Sequence, residues 1–530
     1  MKSKLAQWWD EKPLVVILSL AFVVRLIAVF FAKGYLMHDD HFLTVEISGG
    51  WANGYNYSNW IPTVENQREH PEPISFFYLG GLYFIFKSLI AMGIENPQVQ
   101  MYLMRFIHLL LSLGVIYWVY QITLRISNLK SARTVALVFA MIAMLNNFAV
   151  RNLVEMVCQV PLLLGFYLLV KHQLIRPTTW GKWTFQEGYS DLGKTIRWPL
   201  ILAALIMGLS VGIRYQTVLF AALVGFVFVV QRQFWSGVVF GVFSFLGFFL
   251  TQIDDILLWG GEPFQHLTGY IEYNKKNSAN YPGAPFTYVS LVGFYILPPI
   301  SLFLLFGFLR SWRKHLMLFL PAFGFLLFHI LFPNKQERFI VPMIPFMVML
   351  GVLGWNEWVA QSTFWKNRTK LLKACWTTFW ALNTVVLCVM IFTYSKKARV
   401  EAMEYLYDQG DVKNMIVEFS HSENSSMMPV FYSDSWHLYY TVSKKMDWEH
   451  LVDIMPNNAK LMQNKNVTKP EPNYVIFLED IDLDKRVERV KKSFPTLTFE
   501  KKVEAGWFDQ LLHQMNPRNR AEEIFIYKIN

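Results

Sequence analysis

Two stretches of this chain carry side chains suited to moving a group from one oxygen atom to another. MHDDHFLTVEISGG, at 37–50, sets Asp39 and Asp40 side by side, flanks them with His38 and His41, and follows with Glu46. NKQERF, at 334–339, sets Lys335, Glu337 and Arg338 between the apolar runs LPAFGFLLFHILF and IVPMIPFMVMLGVLGW. A hydroxyl that attacks an anomeric carbon must lose its proton, so a carboxylate within hydrogen-bond reach is required. A departing phosphate or pyrophosphate gathers negative charge, which Lys and Arg stabilise. Acids on one loop and cations on later ones therefore supply both halves of a glycosyl transfer. Three further polar segments interrupt apolar sequence: RNLVE (151–155), RYQ (214–216) and TQIDDILLWGGEPFQHLTGYIEYNKKNSANYPGAPF (251–286).

Each segment also has a plainer reading. Asp39 and Asp40 suit a helix cap. Arg151 and Glu155 have the i, i+4 spacing of a helix-surface pair, and Arg214 suits a snorkelling cation. Lys335, Glu337 and Arg338 fit a turn between two buried helices, and Lys275 and Lys276 fit a solvated loop. Against the plain reading of the acids, the loop from 37 to Pro73 is long, holds Trp51, Tyr55 and Trp60, and long connections without regular structure tend to be functional.

The elements that position these groups are membrane helices. The 530 residues are 54% hydrophobic, 17% aromatic and only 17% charged, against about 25% charged in soluble domains. The 19 Trp, 24 Tyr and 45 Phe suit many interfacial anchors. A crossing needs ~20 mostly apolar residues, and such runs lie near 13–33, 101–122, 134–150, 153–171, 198–213, 215–230, 234–250, 286–309, 316–332, 339–356 and 374–394. The first run lacks a small-residue cleavage site and reads as a retained helix. The segment 74–93 is apolar but holds paired Gly and Lys87. With the N-terminus inside, the basic loops 125–133, 171–197, 231–233, 310–315 and 365–373 all fall on the cytoplasmic side only if 74–93 does not cross. The expectation is a polytopic α-helical membrane protein with 11 transmembrane helices, 74–93 as a re-entrant or interfacial helix, and the five polar segments on the outer face. The formal charge of +10 is then an orientation signal spread over short loops, which excludes nucleic acid as a partner. Arg25, inside the first span, is expected to have an acidic partner. Cys158, Cys375 and Cys388 lie in apolar runs and read as small buried hydrophobes. No Cys/His spacing suggests a metal and no Gly-rich loop suggests a nucleotide, so neither metal nor cofactor is expected.

Beyond 397 the composition changes. MPVFYSDSWHLYYT and NYVIFLEDIDL alternate like short strands, DLDKRVERVKKSF has helical charge spacing, and AEEIFIYKIN reads as a closing strand. The expected organisation is a transmembrane catalytic domain at 1–396 and an extracytoplasmic α+β domain at 397–530.

HDDHFLTVE resembles the first-loop signature of the lipid-phosphate-mannose-dependent mannosyltransferases that build GPI anchors and N-glycan precursors. Their pattern is Asp-Glu-x-Phe-x-x-x-Glu, matched by Asp39, Asp40, Phe42 and Glu46, with Asp in place of the family's Glu. Arg68 in NQREHPEP is similar to the Arg of an RSxxxP stretch, and RNLVE to an RxxxNxxE segment. The 251–288 segment is similar to a family loop through Asp254 or Asp255, Gly260, Tyr273, Asn274, Tyr281, Gly283, Pro285 and Tyr288. NKQERF resembles His-Lys-Glu-x-Arg-Phe through Lys335, Arg338 and Phe339, with Asn334 replacing His and Gln336 replacing Glu. The resemblance runs over 13–395. It implies a GT-C fold and an inverting, metal-independent transfer of mannose from a polyprenyl- or dolichyl-phosphate donor to a glycolipid, glycan or protein acceptor. It further implies Asp39 as base with Asp40 orienting it or taking its place, and Lys335, Arg338 and Arg214 on the donor phosphate. Glu46, Arg68, Asp255, Tyr273 and Asn274 would bind substrate.

A transporter or flippase of a lipid-linked saccharide is the rival reading, but it favours internal repeats and broken helices meeting at mid-membrane. A non-catalytic scaffold leaves the acid and cation loops unexplained. The expected location is a bacterial inner membrane with a periplasmic site. The alternative is an endoplasmic reticulum membrane with a lumenal site, which the sequons at Asn56, Asn424 and Asn466 would suit.

Overall fold

The computed structural model describes residues 4–54, 74–175, 197–259, 261–280, 283–284, 286–419, 427–436, 440–443, 471–517, 519 and 521–530. Among these, six helices are long and apolar enough to cross a membrane: Pro13–Phe31, Pro97–Ile126, Val154–Lys171, Phe234–Leu257, Glu337–Gln361 and Thr369–Ile391. A seventh results if Thr287–Tyr295 and Ile300–Arg313, bent by 119° at the break between them, count as one span. Pro298 and Pro299 occupy that break, where the missing N–H groups end the first helix. The other expected spans are shorter helices. Trp198–Ile213 and Leu316–Leu331 have 16 residues each, about 24 Å at 1.5 Å per residue, against a hydrocarbon core of about 30 Å. Phe76–Ala91 also has 16 residues, so length does not separate it from helices expected to cross.

The expected span at 134–150 is broken, and side chains repair the break. Leu129–Met141 ends at Ile142, whose ψ of 120° leaves the helical region, and Ala143–Phe148 restarts beyond it. Asn383 Nδ2 donates to the Met141 carbonyl at 2.7 Å, and its Oδ1 accepts the Ala143 N–H at 3.1 Å. Asn146 Nδ2 donates to the carbonyls of Ala140 and Ile142 at 3.0 and 2.8 Å. Broken backbone in hydrocarbon needs such replacements.

The described chain divides into two compact units. The first contains Met1–Val29, Ser75–Phe77 and Phe106–Phe392, and its helices meet through glycines. A Cβ on Gly208 would lie 2.2 Å from the Ser244 carbonyl oxygen, and one on Gly247 2.1 Å from that of Leu205. Gly307 and Gly354 bring Ile300–Arg310 equally close to Ile344–Gln361. Small residues at such crossings are how membrane helices gain packing contact. Arg25 is buried here, but it donates to Asn146 Oδ1 at 3.2 Å and Ser112 Oγ at 2.6 Å. The expected acidic partner is replaced by two neutral acceptors. The cysteines also differ from expectation: Cys158 is buried, Cys375 half-buried and Cys388 exposed on its helix.

The second unit joins Phe30–Ile74 and Tyr78–Arg105 to Thr393–Asn530. Its sheet runs in the order β2-β1-β3-β5-β4, from β1 (Met415–Phe419), β2 (Tyr440–Ser443), β3 (Tyr474–Leu478), β4 (Leu497–Val503) and β5 (Ile524–Ile529). β1 is parallel to β2 and β3, while β5 runs antiparallel between β3 and β4. The last segment of the chain is thus an inner strand. Ile416, Val475, Phe477, Val487, Val490 and Phe525 form the core beneath helix Leu483–Ser493. Residues 430–433, expected as strand, form a 3-10 turn instead.

Candidate functional site

In the first unit three charged residues meet, each where a helix is interrupted. Glu155 stands in the first turn after the extended residue Leu153. Arg214 adopts an extended conformation between helix Trp198–Ile213 and the turn Tyr215–Thr217. Arg338 lies in the 3-10 segment Glu337–Met343, because Pro342 and Pro345 deny the following helix its earlier backbone donors. Glu155 Oε1 accepts from Arg214 Nη1 at 2.5 Å and lies 3.4 Å from Arg338 Nε. Glu155 is wholly buried and each arginine is 7% exposed. One carboxylate therefore faces two guanidinium groups. Among the described residues, Nε and Nη2 of Arg214 and Oε2 of Glu155 lack hydrogen-bond partners. Buried donors left this way are costly unless something accepts from them, and an anion of one or two charges has the right chemistry. Both arginines lie against Phe339, at 5.0 and 5.8 Å from its ring centre.

Neither plain reading of these residues holds. Glu155 is given to Arg214 and Arg338, while Arg151 Nε donates to Asn147 Oδ1 at 2.8 Å. Arg214 is buried and paired rather than snorkelling. Lys335 differs from the arginines, because its ammonium donates to the carbonyls of His329, Ile330 and Phe332. It closes the C-terminus of helix Leu316–Leu331, a favourable place for a cation, and desolvation lowers its pKa. Its stem runs beneath Gly283, where a Cβ would come within 2.7 Å of Lys335 Cβ. Its Nζ lies 5.7 Å from the Tyr288 ring.

The 251–288 segment supplies a second buried pair. Asp255 Oδ1 lies 2.8 Å from His266 Nδ1 with both side chains buried, and Phe76 packs 3.9 Å from the imidazole. Asp255 is thus engaged inside the unit. Helix Gln265–Asn277 carries Tyr273, which is exposed, and Asn274, whose Nδ2 donates to the Tyr270 carbonyl at 2.8 Å. The residue of this helix that reaches toward Arg214 is Tyr270, which sequence reasoning missed. Its hydroxyl accepts from the Gln216 amide, two residues beyond Arg214, and its ring lies 5.2 Å from that of Tyr215. The available signal was the spacing His266, Tyr270, Asn274, which puts three polar groups on one helix face. Arg68, Gly260, Tyr281, Pro285 and the side chain of Asp254 lie outside the described residues.

In the second unit Asp39 and Asp40 are half-buried on the turn His38–Asp40. One π-helical turn, His41–Val45, follows before helix Glu46–Ala52. The wider turn sends His41 inward, where its ring stacks between Tyr35 at 4.9 Å and Tyr432 at 5.5 Å, with interplanar angles of 16° and 11°. Glu46, expected to bind substrate, is 2% exposed. Its Oε1 meets His41 Nε2 at 3.1 Å and accepts the Phe431 N–H at 3.1 Å. His38 packs on Phe42 at 4.4 Å. Burial draws its pKa down to about 4, with Asp39 opposing the shift and Arg399, His41 and Lys396 adding to it. Arg399 forms a two-pronged pair with Glu522, at 2.6 and 2.9 Å, and donates to the Met427 carbonyl.

Comparison with known proteins gives the family and the fold. The model of the Alg9-like mannosyltransferase family matches residues 16–434. GPI mannosyltransferase 3 of Kluyveromyces lactis is 22% identical over 230 residues, which cover 37% of this chain and 36% of that protein. ArnT from Cupriavidus metallidurans, solved with undecaprenyl phosphate, superposes with a TM-score of 0.57 at 14% identity, covering 97% of each chain. The oligosaccharyltransferase AglB from Archaeoglobus fulgidus, solved with an inhibitory peptide and a dolichol-phosphate, gives 0.51 at 10% identity, covering 99% of this chain and 75% of its own. At such identities the likeness is one of fold, and that fold is GT-C.

Proposed function

The chain belongs to the Alg9-like mannosyltransferase family and is an integral-membrane glycosyltransferase, and from that premise we propose that it moves mannose from a polyprenyl- or dolichyl-phosphate donor to an acceptor hydroxyl on the extracytoplasmic side. The acceptor oxygen attacks the anomeric carbon from the face opposite the phosphate. The new C–O bond forms as the bond to the phosphate oxygen breaks, so configuration inverts and lipid phosphate leaves. Asp39 takes the acceptor proton, and Asp40 orients Asp39 or replaces it. Arg214 and Arg338 hold the phosphate and meet its growing charge. Lys335 adds its field from the helix end it closes. Tyr273 and Asn274, on the helix that carries Tyr270, and Arg68 bind the sugar or the acceptor.

The observation that carries this reading is the buried Glu155–Arg214–Arg338 group, in which two guanidinium groups share one carboxylate and Nε and Nη2 of Arg214 are unspent. The test uses purified protein, labelled polyprenyl-phosphate mannose and octyl α-mannoside as acceptor. Asp39→Asn is expected to abolish transfer and leave donor binding unchanged. Arg214→Gln is expected to weaken donor binding about ten- to a hundredfold, the value of a hydrogen bond to a charged group. Transfer by Asp39→Asn at the normal rate removes Asp39 as base. Unchanged donor affinity in Arg214→Gln removes the phosphate grip.

A further inference from the structure

Glu46 matches a position that the family resemblance gives to substrate, yet its carboxylate is spent inside the second unit. One oxygen meets the imidazole of His41 and also accepts the backbone N–H of Phe431, both at 3.1 Å. The two partners come from opposite ends of the sequence. We propose that Glu46 is a positioning residue: together with the turn Val430–Ser433 it clamps the loop that carries Asp39 and Asp40, so the C-terminal region is part of the catalytic apparatus.

Three features make the clamp stiff. The His41 ring is held on both faces, by Tyr35 and Tyr432, and edge-on by Phe42 at 5.2 Å. Phe431 is wedged between Phe86 at 5.2 Å and Trp436 at 6.1 Å. Gly49 lets it approach, since a Cβ there would stand 2.8 Å from Phe431 Cδ2. The loop itself is locked by a π-helical turn, a feature common at functional sites, in which the Thr44 hydroxyl donates to the Asp40 carbonyl. Asp40 is bonded directly to His41 in the chain, so a shift of the imidazole passes through one peptide group to the acids. Misplacing a reacting group by about 1 Å lowers rate by about a hundredfold. The chemistry of Glu46 fits this task because a single carboxylate oxygen accepts from two donors at once. Its two links are the sort that an amide keeps in part and a methyl group loses.

This inference rests on Asp39 or Asp40 being the base, and the experiment separates the two. Release of polyprenyl phosphate from polyprenyl-phosphate mannose is followed with octyl α-mannoside as acceptor, on the full-length protein, together with its thermal midpoint. Glu46→Ala and Tyr432→Ala are expected to lower the thermal midpoint and, measured well below it, to lower kcat about a hundredfold with donor KM little changed. Glu46→Gln and Tyr432→Phe, which keep an acceptor and a stacked ring, are expected to stay within about tenfold of the parent. Normal kcat in Glu46→Ala and Tyr432→Ala overturns the clamp, as does a rise in donor KM alone, which would return Glu46 to substrate binding. If Glu46→Ala does not fold, Tyr432→Ala decides by the same criteria. Normal turnover in the double variant Asp39→Asn/Asp40→Asn instead defeats the base assignment, whatever the clamp variants do.

Discussion

At the scale of single residues, charges of one kind proved to have different work. Lys335 and Arg338 stand three positions apart in one motif. Lys335 spends its donors on three carbonyls at a helix end, whereas Arg338 lies beside a buried carboxylate. The sequence shows that both are cations between apolar runs, but a lysine's partners depend on which helix end lies within reach. Glu155 was legible as an i, i+4 neighbour of Arg151 and as the acid of a segment similar to RxxxNxxE, but not as the partner of Arg214 and Arg338, which arrive from distant segments. His38 gives a prediction in pH. Its folded pKa of about 4 lies below the ordinary 6.5, so the unfolded chain binds the extra proton between those values. The stability His38 contributes is therefore complete above about pH 6.5 and is lost as pH falls through 4. Thermal midpoints in detergent should fall over that window in the parent, and less steeply in His38→Phe. Equal slopes would show that another group titrates there.

At the scale of elements, hydropathy located the apolar helices but not where each one stops. The 134–150 run looks like a single span, and its break at Ile142 is repaired by Asn383, which is far away in sequence. Likewise, nothing in the run 198–213 reveals that Gly208 lies under the Ser244 carbonyl oxygen. That crossing matters to the site, because the same helix ends at Arg214. Gly208→Val must push the helices apart, and overpacking costs about 1–3 kcal/mol. The expected result is a lower thermal midpoint together with weaker binding of polyprenyl phosphate. Gly241→Val, on the same partner helix but with no atom within 4 Å of its Cβ position, should leave both unchanged. Equal behaviour of the two variants would mean that the close approach is unimportant.

At the scale of the whole molecule, the distribution of basic loops argues for one orientation. Single cysteines test it in a background where Cys158, Cys375 and Cys388 are replaced. Ser127→Cys lies in the basic 125–133 loop and Lys276→Cys in the 251–286 segment. In intact bacterial spheroplasts a membrane-impermeant thiol reagent should label Lys276→Cys at once, and Ser127→Cys only after permeabilisation. The reverse pattern would put the proposed site on the cytoplasmic face. The grouping of the chain was less legible than its orientation. Residues 30–74 and 78–105 belong to one compact unit with 393–530, although apolar composition ties the early segments to the membrane part.

What the sequence determined by itself was the class of protein and the kind of chemistry. Apolar run length sets which segments can leave water, and the residue types at 39, 40, 335 and 338 follow a pattern that depends on order along the chain. Tertiary structure decided which charges meet: Glu155 with Arg214 and Arg338, Asp255 with His266, and Glu46 with His41 and the Phe431 N–H. The physical reason is reach. Hydropathy and motif spacing act over a few turns of chain, whereas an ion pair or a shared acceptor forms over about 3 Å, a distance at which residues hundreds of positions apart are neighbours only once the chain has folded.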